Sequence, residues 1–101
     1  MPYEGLSLEG QTALVTGSGR GIGAALAVGL AQAGAAVAVS DRPDRLGLAE
    51  ETRCKVEAEG VKSGVYSLDV LDITGIPKAI DKVVEDFGRL DILVNLSLIH
   101  I

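Results

Sequence analysis

Aromatic residues are scarce in this chain: two tyrosines, one phenylalanine and no tryptophan. A packed core must therefore come from Ala, Val, Leu and Ile, in a sequence that is 48% hydrophobic. There is one cysteine, Cys54. That excludes an internal disulfide and fits a reducing compartment. We expect Cys54 to be a small, partly buried helix residue rather than a reactive thiol. Positive charge is also short. Nine Lys and Arg stand against 14 Asp and Glu, for a net charge of −5, so no broad basic surface is offered to nucleic acid. No apolar run reaches membrane-spanning length, and the start of the chain, with Glu4 and Glu9, lacks signal-peptide character. These absences imply a soluble, cytoplasmic protein without nucleic-acid or membrane partners. A length of 101 residues suits at most one domain.

What the chain does have is glycine in one telling place. The segment Thr16-Gly17-Ser18-Gly19-Arg20-Gly21-Ile22-Gly23 follows the apolar run Ala13-Leu14-Val15 and opens an Ala/Leu-rich stretch. Strand, glycine turn and helix, in that order, build a pocket for a dinucleotide pyrophosphate. Gly17 suits the tight turn, Gly21 the close approach of backbone to phosphate, and Gly23 close packing of the helix on the strand. Free N–H groups and the positive end of the helix dipole then face the anion. The pattern departs from strict G-x-G-x-x-G, because the sixth residue from Gly17 is Ile22. Further on, the run Ala36–Ser40 ends in Asp41, 24 residues after Gly17. An acidic residue at about that spacing accepts hydrogen bonds from the adenosine ribose hydroxyls.

The rest of the chain alternates regularly. After a lead-in over Met1–Gln11, strands are expected at Thr12–Thr16, Ala36–Ser40, Gly64–Leu68 and Asp91–Asn95. Helices are expected at Arg20–Ala33, Asp44–Glu59 and Gly75–Phe87. The first helix shows an apolar stripe of Ile22, Leu26, Leu30 and Ala33, and Gly34 stops it. The second carries a solvated face of Glu50, Glu51, Arg53, Lys55, Glu57 and Glu59. The third has Thr74 as a cap, Pro77 in its first turn and a stripe of Ile76, Ile80, Val83, Val84 and Phe87. Short apolar strands between helices predict an α/β, doubly wound parallel sheet. The implied strand order is 3-2-1-4, a partial Rossmann-like fold that stops after strand four. A cofactor would lie across the carboxyl ends of strands one and four, at the switch point.

The glycine segment, read as T-G-x-x-x-G-I-G, resembles the cofactor loop of the short-chain dehydrogenase/reductase family. Leu68-Asp69-Val70 resembles the pair that this family sets beside the adenine ring. Gly88-Arg89-Leu90-Asp91-Ile92-Leu93-Val94-Asn95 resembles its fourth strand. The resemblance spans Leu8 to Asn95. It implies cofactor contacts from Gly17, Ser18, Arg20, Gly21, Ile22, Gly23, Asp41, Arg42, Asp69, Val70 and Asn95. It also implies a parent enzyme, in such families usually a tetramer, that interconverts a small-molecule alcohol and a ketone by hydride transfer. Asp41 favours NAD over NADP, because its carboxylate would stand where the 2′-phosphate must go. Arg42 and Arg20 pull the other way, since either could attract a phosphate.

The resemblance also implies a Tyr-x-x-x-Lys pair and an assisting Ser, and the sequence contains no such pair. Tyr3 and Tyr66 are followed four positions on by Ser7 and Val70. The chain is thus expected to be a cofactor cradle without acid–base machinery, with no catalytic residue and no metal site. A non-catalytic dinucleotide-binding redox sensor would carry the same cradle and remains the alternative. Residues 1–95 follow the family pattern. Residues 96–101, Leu-Ser-Leu-Ile-His-Ile, do not. They correspond codon by codon to CTG TCT CTT ATA CAC ATC, a transposon end used as a sequencing adapter, and we expect a translated adapter there; a natural divergent terminus or a splice product is the alternative.

Overall fold

The computed structural model describes residues 7–19, 21–69 and 72–95. Its elements are β1 (Thr12–Val15), α1 (Gly21–Gln32), β2 (Ala36–Asp41), a 3₁₀ turn (Pro43–Arg45), α2 (Leu46–Glu57), β3 (Ser63–Ser67), α3 (Gly75–Phe87) and β4 (Ile92–Val94). The four strands form one parallel sheet in the order β3-β2-β1-β4. That is the doubly wound topology expected from the alternating pattern. The register aligns Val15 with both Val39 and Val94, and Asp41 with Ser67. All four strands therefore end at one rim. At the opposite rim Asp91 ties β4 to β1: the Thr12 N–H donates to Asp91 Oδ2 (2.9 Å), and the Asp91 N–H donates to the Thr12 carbonyl (2.9 Å).

Period-two alternation sorts the strand residues onto two faces. Val15, Val37 and Val39 join Ala27, Ala31, Ala49 and Val56 in the core under α1 and α2. Leu14 and Ala38 meet Val83 on the other face, with Ile80, Phe87, Leu90 and Tyr66 packed around them. Burying a side chain such as Leu14 contributes roughly 1.5–3 kcal/mol. Thr12–Val15 is buried throughout, whereas β3 is only half-buried. Hence β1, like β2, is an inner strand and β3 an edge.

Helix positions match the sequence expectation better than helix faces do. The expected stripe on α1 is not the buried one. Ile22 is 74% exposed and Leu26 39% exposed, while Gly23, Ala27 and Ala31 are buried. The helix is apolar almost all round, so periodicity cannot select a face. Close approach to the sheet selects the smallest side chains instead. On α3, Val83 is buried and Ile76, Ile80 and Phe87 are half-buried, as the stripe suggests. Val84, however, is exposed, and Ala79 takes its place in the core.

Cys54 is exposed rather than partly buried. Ala49, Thr52 and Val56 define the inward face of α2, which turns position 54 outward. Thr74 does not cap α3. It has helical dihedrals, and its hydroxyl donates to Asp72 Oδ1 (2.8 Å). The same Asp72 oxygen receives the Gly75 N–H (3.3 Å), so the capping acceptor is Asp72. The Thr74 hydroxyl holds the Asp72 carboxyl below the usual range. The second helix also begins later than expected, because Pro43–Arg45 forms a 3₁₀ turn closed by the Arg45 N–H on the Arg42 carbonyl (2.8 Å).

Candidate cofactor site

The rim where the strands end is built around the Thr16–Gly19 turn. Gly17 has φ +61° and Gly21 φ +62°. Side chains resist that left-handed region, so both positions favour glycine for backbone reasons alone. Gly23 is held for a different reason. A Cβ there would lie 2.1 Å from the Gly17 carbonyl oxygen and 3.0 Å from Ser18 Cα. The helix start therefore sits directly on the turn. A Cβ on Gly21 would instead meet nothing within 4 Å, so the loop leaves open space on that side. The first N–H groups of α1 have no acceptor within the helix. They are left for an acceptor from outside the helix, at an end to which the dipole adds partial positive charge.

Below the turn lies a buried polar network. Ser18 is fully buried, and its N–H donates to the Ser40 carbonyl (2.9 Å). The Ser40 N–H donates to Ser18 Oγ (2.8 Å), and Ser40 Oγ donates to the Val15 carbonyl (2.9 Å). β1, the turn and β2 are thereby bonded into one unit. Asp41 is 4% exposed. Its Oδ2 accepts the Gly19 N–H (3.1 Å) and its Oδ1 accepts the Arg42 N–H (2.8 Å). Each carboxylate oxygen retains a second lone pair. A Cβ on Gly19 would lie 2.5 Å from Asp41 Oδ2.

The remaining expected residues reach the same rim with varying precision. Asn95 follows β4 and is drawn to Thr16, whose hydroxyl lies 3.3 Å from both Asn95 Oδ1 and the Val94 carbonyl. Asp69 follows β3, and the preceding Leu68 N–H donates to the Asp41 carbonyl (2.9 Å). Arg42 pairs with Asp44 (3.0 Å), while its Nε is buried without a partner among the described residues. Ile22 lies out in solvent on the first turn of α1. Arg20 and Val70 lie outside the described residues, as does the 96–101 segment.

Four contributors escaped the sequence reading: Gly19, Ser40, Thr16 and Thr52. Gly19 stands inside the motif and was legible as a glycine, but its contact with Asp41 is tertiary. Ser40 and Thr52 carry no pattern of their own. Among the described residues no group of three or more His, Cys, Asp or Glu could hold a metal ion. No described helix is long and apolar enough to cross a membrane.

A family model described as short chain dehydrogenase matches residues 11–97. The chain belongs to the short-chain dehydrogenase family. It is 41% identical over 95 residues to short chain dehydrogenase/reductase astE of Aspergillus oryzae, covering 93% of this chain and 36% of that protein. Among solved structures it is similar to a dehydrogenase/reductase from Sinorhizobium meliloti 1021, with 42% identity and a TM-score of 0.87, covering 93% of this chain and 37% of the other. It is also similar to carveol dehydrogenase from Mycobacterium avium in complex with NAD, with 30% identity and a TM-score of 0.76, covering 85% and 35%. The chain spans about a third of the length of the relatives it matches.

Proposed function

We propose that this chain forms the NAD(P)-binding part of an oxidoreductase that interconverts an alcohol and a ketone by hydride transfer. The observation that carries the reading is the meeting of a left-handed glycine turn, a helix N-terminus and the ends of four parallel strands at one rim. Family membership and the NAD-bound Mycobacterium avium relative support it. When bound, a nicotinamide dinucleotide would supply the hydride acceptor or donor.

The residues divide the work as follows. Backbone N–H groups at the turn and the start of α1, those of Gly17, Gly21, Ile22 and Gly23, are assigned to the pyrophosphate, and Gly21 gives it room. Ser18, whose N–H is spent on the Ser40 carbonyl, shapes the turn from below, and the Arg20 contact lies outside the described residues. Asp41 uses its remaining lone pairs for the ribose hydroxyls. Asp69 is assigned to the adenine side and Asn95 to the ribose near the nicotinamide; the Val70 contact that the resemblance implies lies outside the described residues. None of these residues is a proton donor to substrate. We assign the acid–base step to none of them, and expect the 101-residue chain alone to show no turnover. The parent enzyme acts on a small alcohol or ketone and assembles as a homotetramer.

Asp41 favours NAD, because a 2′-phosphate would bring like charge against a buried carboxylate. The Arg42 Nε, buried without a partner among the described residues, is the feature that most opposes this. The test is calorimetric titration of a full-length protein carrying this segment with NAD and with NADP. Tighter NADP binding overturns the NAD assignment. Binding of neither overturns the cofactor reading.

A further inference from the structure

Helix α2 reaches the glycine turn through a contact that lies outside the strand–turn–helix motif. Thr52 is 2% exposed, and its hydroxyl donates to the Ser18 carbonyl at 2.8 Å. A threonine within a helix commonly returns its hydroxyl to the carbonyl four residues back. Here that acceptor, Leu48 O, is farther away, at 3.4 Å. One turn earlier, Leu48 Cβ and Ala49 N lie 3.0 and 3.2 Å from where a Cβ on Gly19 would sit. The 48–52 turn of α2 thus abuts two successive residues of the loop.

The peptide joining Ser18 to Gly19 is held at both ends. In a planar trans peptide the carbonyl and the N–H point in opposite directions. Thr52 takes the Ser18 carbonyl, and Asp41 Oδ2 takes the Gly19 N–H at 3.1 Å. The plane is strung between a hydroxyl on α2 and a carboxylate at the end of β2. Turning the plane would release both bonds, so the hydroxyl that fixes the carbonyl also fixes the direction of the N–H that orients Asp41.

We propose that Thr52 is a positioning residue of the cofactor site. It sets the Ser18–Gly19 peptide plane and, through it, the Asp41 carboxylate. This rests on the cofactor reading above. Thr52→Val keeps the shape and removes the donor, and Thr52→Ser keeps the donor. The experiment uses full-length proteins shown to be folded by circular dichroism at the working temperature. NAD is titrated by calorimetry, and hydrogen exchange of the Gly19 amide is followed without ligand.

The Val variant should bind NAD about tenfold more weakly and exchange the Gly19 amide faster. The Ser variant should stay within about twofold of wild type in affinity. Amides at the far end of α1 should not change in either. If the Val variant fails to fold, Thr52→Ala takes its place with the same expectation. Unchanged NAD affinity and unchanged Gly19 exchange on loss of the hydroxyl overturn the positioning role and leave the cofactor reading standing. A wild-type protein that binds neither NAD nor NADP overturns both.

Discussion

Two glycines in the same helix should respond to alanine with opposite signs. Gly23 and Gly29 both lie in α1. Replacing a mid-helix glycine by alanine gains about 0.5–1 kcal/mol from backbone entropy and helix propensity. At Gly29 a Cβ meets nothing within 4 Å, so Gly29→Ala should keep that gain in full. At Gly23 the Cβ would lie 2.1 Å from the Gly17 carbonyl oxygen, 2.8 Å from Gly17 C and 3.0 Å from Ser18 Cα. All three are backbone atoms of a turn that is bonded to β2, so no side chain can swing aside. Overpacking of this kind costs about 1–3 kcal/mol, and occasionally more. The rigid neighbours put Gly23→Ala at the upper end. After the propensity gain is subtracted, a net loss of about 2 kcal/mol remains, which is a substantial part of the 5–15 kcal/mol that holds a typical domain together. The measurement is urea denaturation of full-length variants followed by far-UV circular dichroism, comparing midpoints at constant slope. NAD titration should show weaker binding for Gly23→Ala alone, because the helix start must lift off the turn. A Gly23→Ala protein as stable as wild type would refute the close-packing argument, as would destabilisation by Gly29→Ala.

Other consequences can be checked in the same proteins. Asp41→Ala should shift cofactor preference toward NADP in paired NAD and NADP titrations; an unchanged ratio would remove Asp41 from the specificity argument. Gly21→Val combines a left-handed backbone with a β-branched side chain, and should abolish NAD binding while circular dichroism shows the fold retained. Arg20→Ala should do less, since the phosphate is assigned to backbone N–H groups. The Tyr66 hydroxyl donates to Asp86 Oδ2 (2.6 Å), and burial, reinforced by that bond, pushes its pKa up. A folded-state pKa above the unfolded value of about 10 means stability that is present below pH 10 and lost as pH rises beyond it. Tyr66→Phe should therefore flatten the alkaline decline in stability; parallel wild-type and variant curves above pH 10 would contradict the assignment. Finally, β4 is an edge strand among the described residues and Leu93 is 49% exposed. The 101-residue chain alone should self-associate on a sizing column with light scattering, and a clean monomer would argue against this.

The sequence by itself determined the order of elements, because hydrophobic runs and glycine punctuation are local properties. Gly75–Phe87 was legible to the residue, since charged and apolar positions alternate there at helical spacing. The parallel sheet followed from strands joined by helices, and its 3-2-1-4 order from the likeness of the glycine turn to the Rossmann fold. The glycine turn was readable for the same reason: left-handed backbone and close approach demand glycine, whatever surrounds them.

Faces and polar partners were decided only by the tertiary structure. α1 is apolar on every side, so only contact with the sheet could bury Gly23, Ala27 and Ala31 and leave Ile22 in solvent. Spacing marked Asp41 as an acceptor. That it is almost wholly buried and also holds Gly19 depends on where β2 ends relative to the turn. Thr52 has no sequence signature at all. Its role arises because α2 packs across the sheet and brings a hydroxyl 34 residues distant onto the Ser18 carbonyl. Periodicity encodes which residues can be buried, but a hydrogen bond between distant segments exists only once both have been placed.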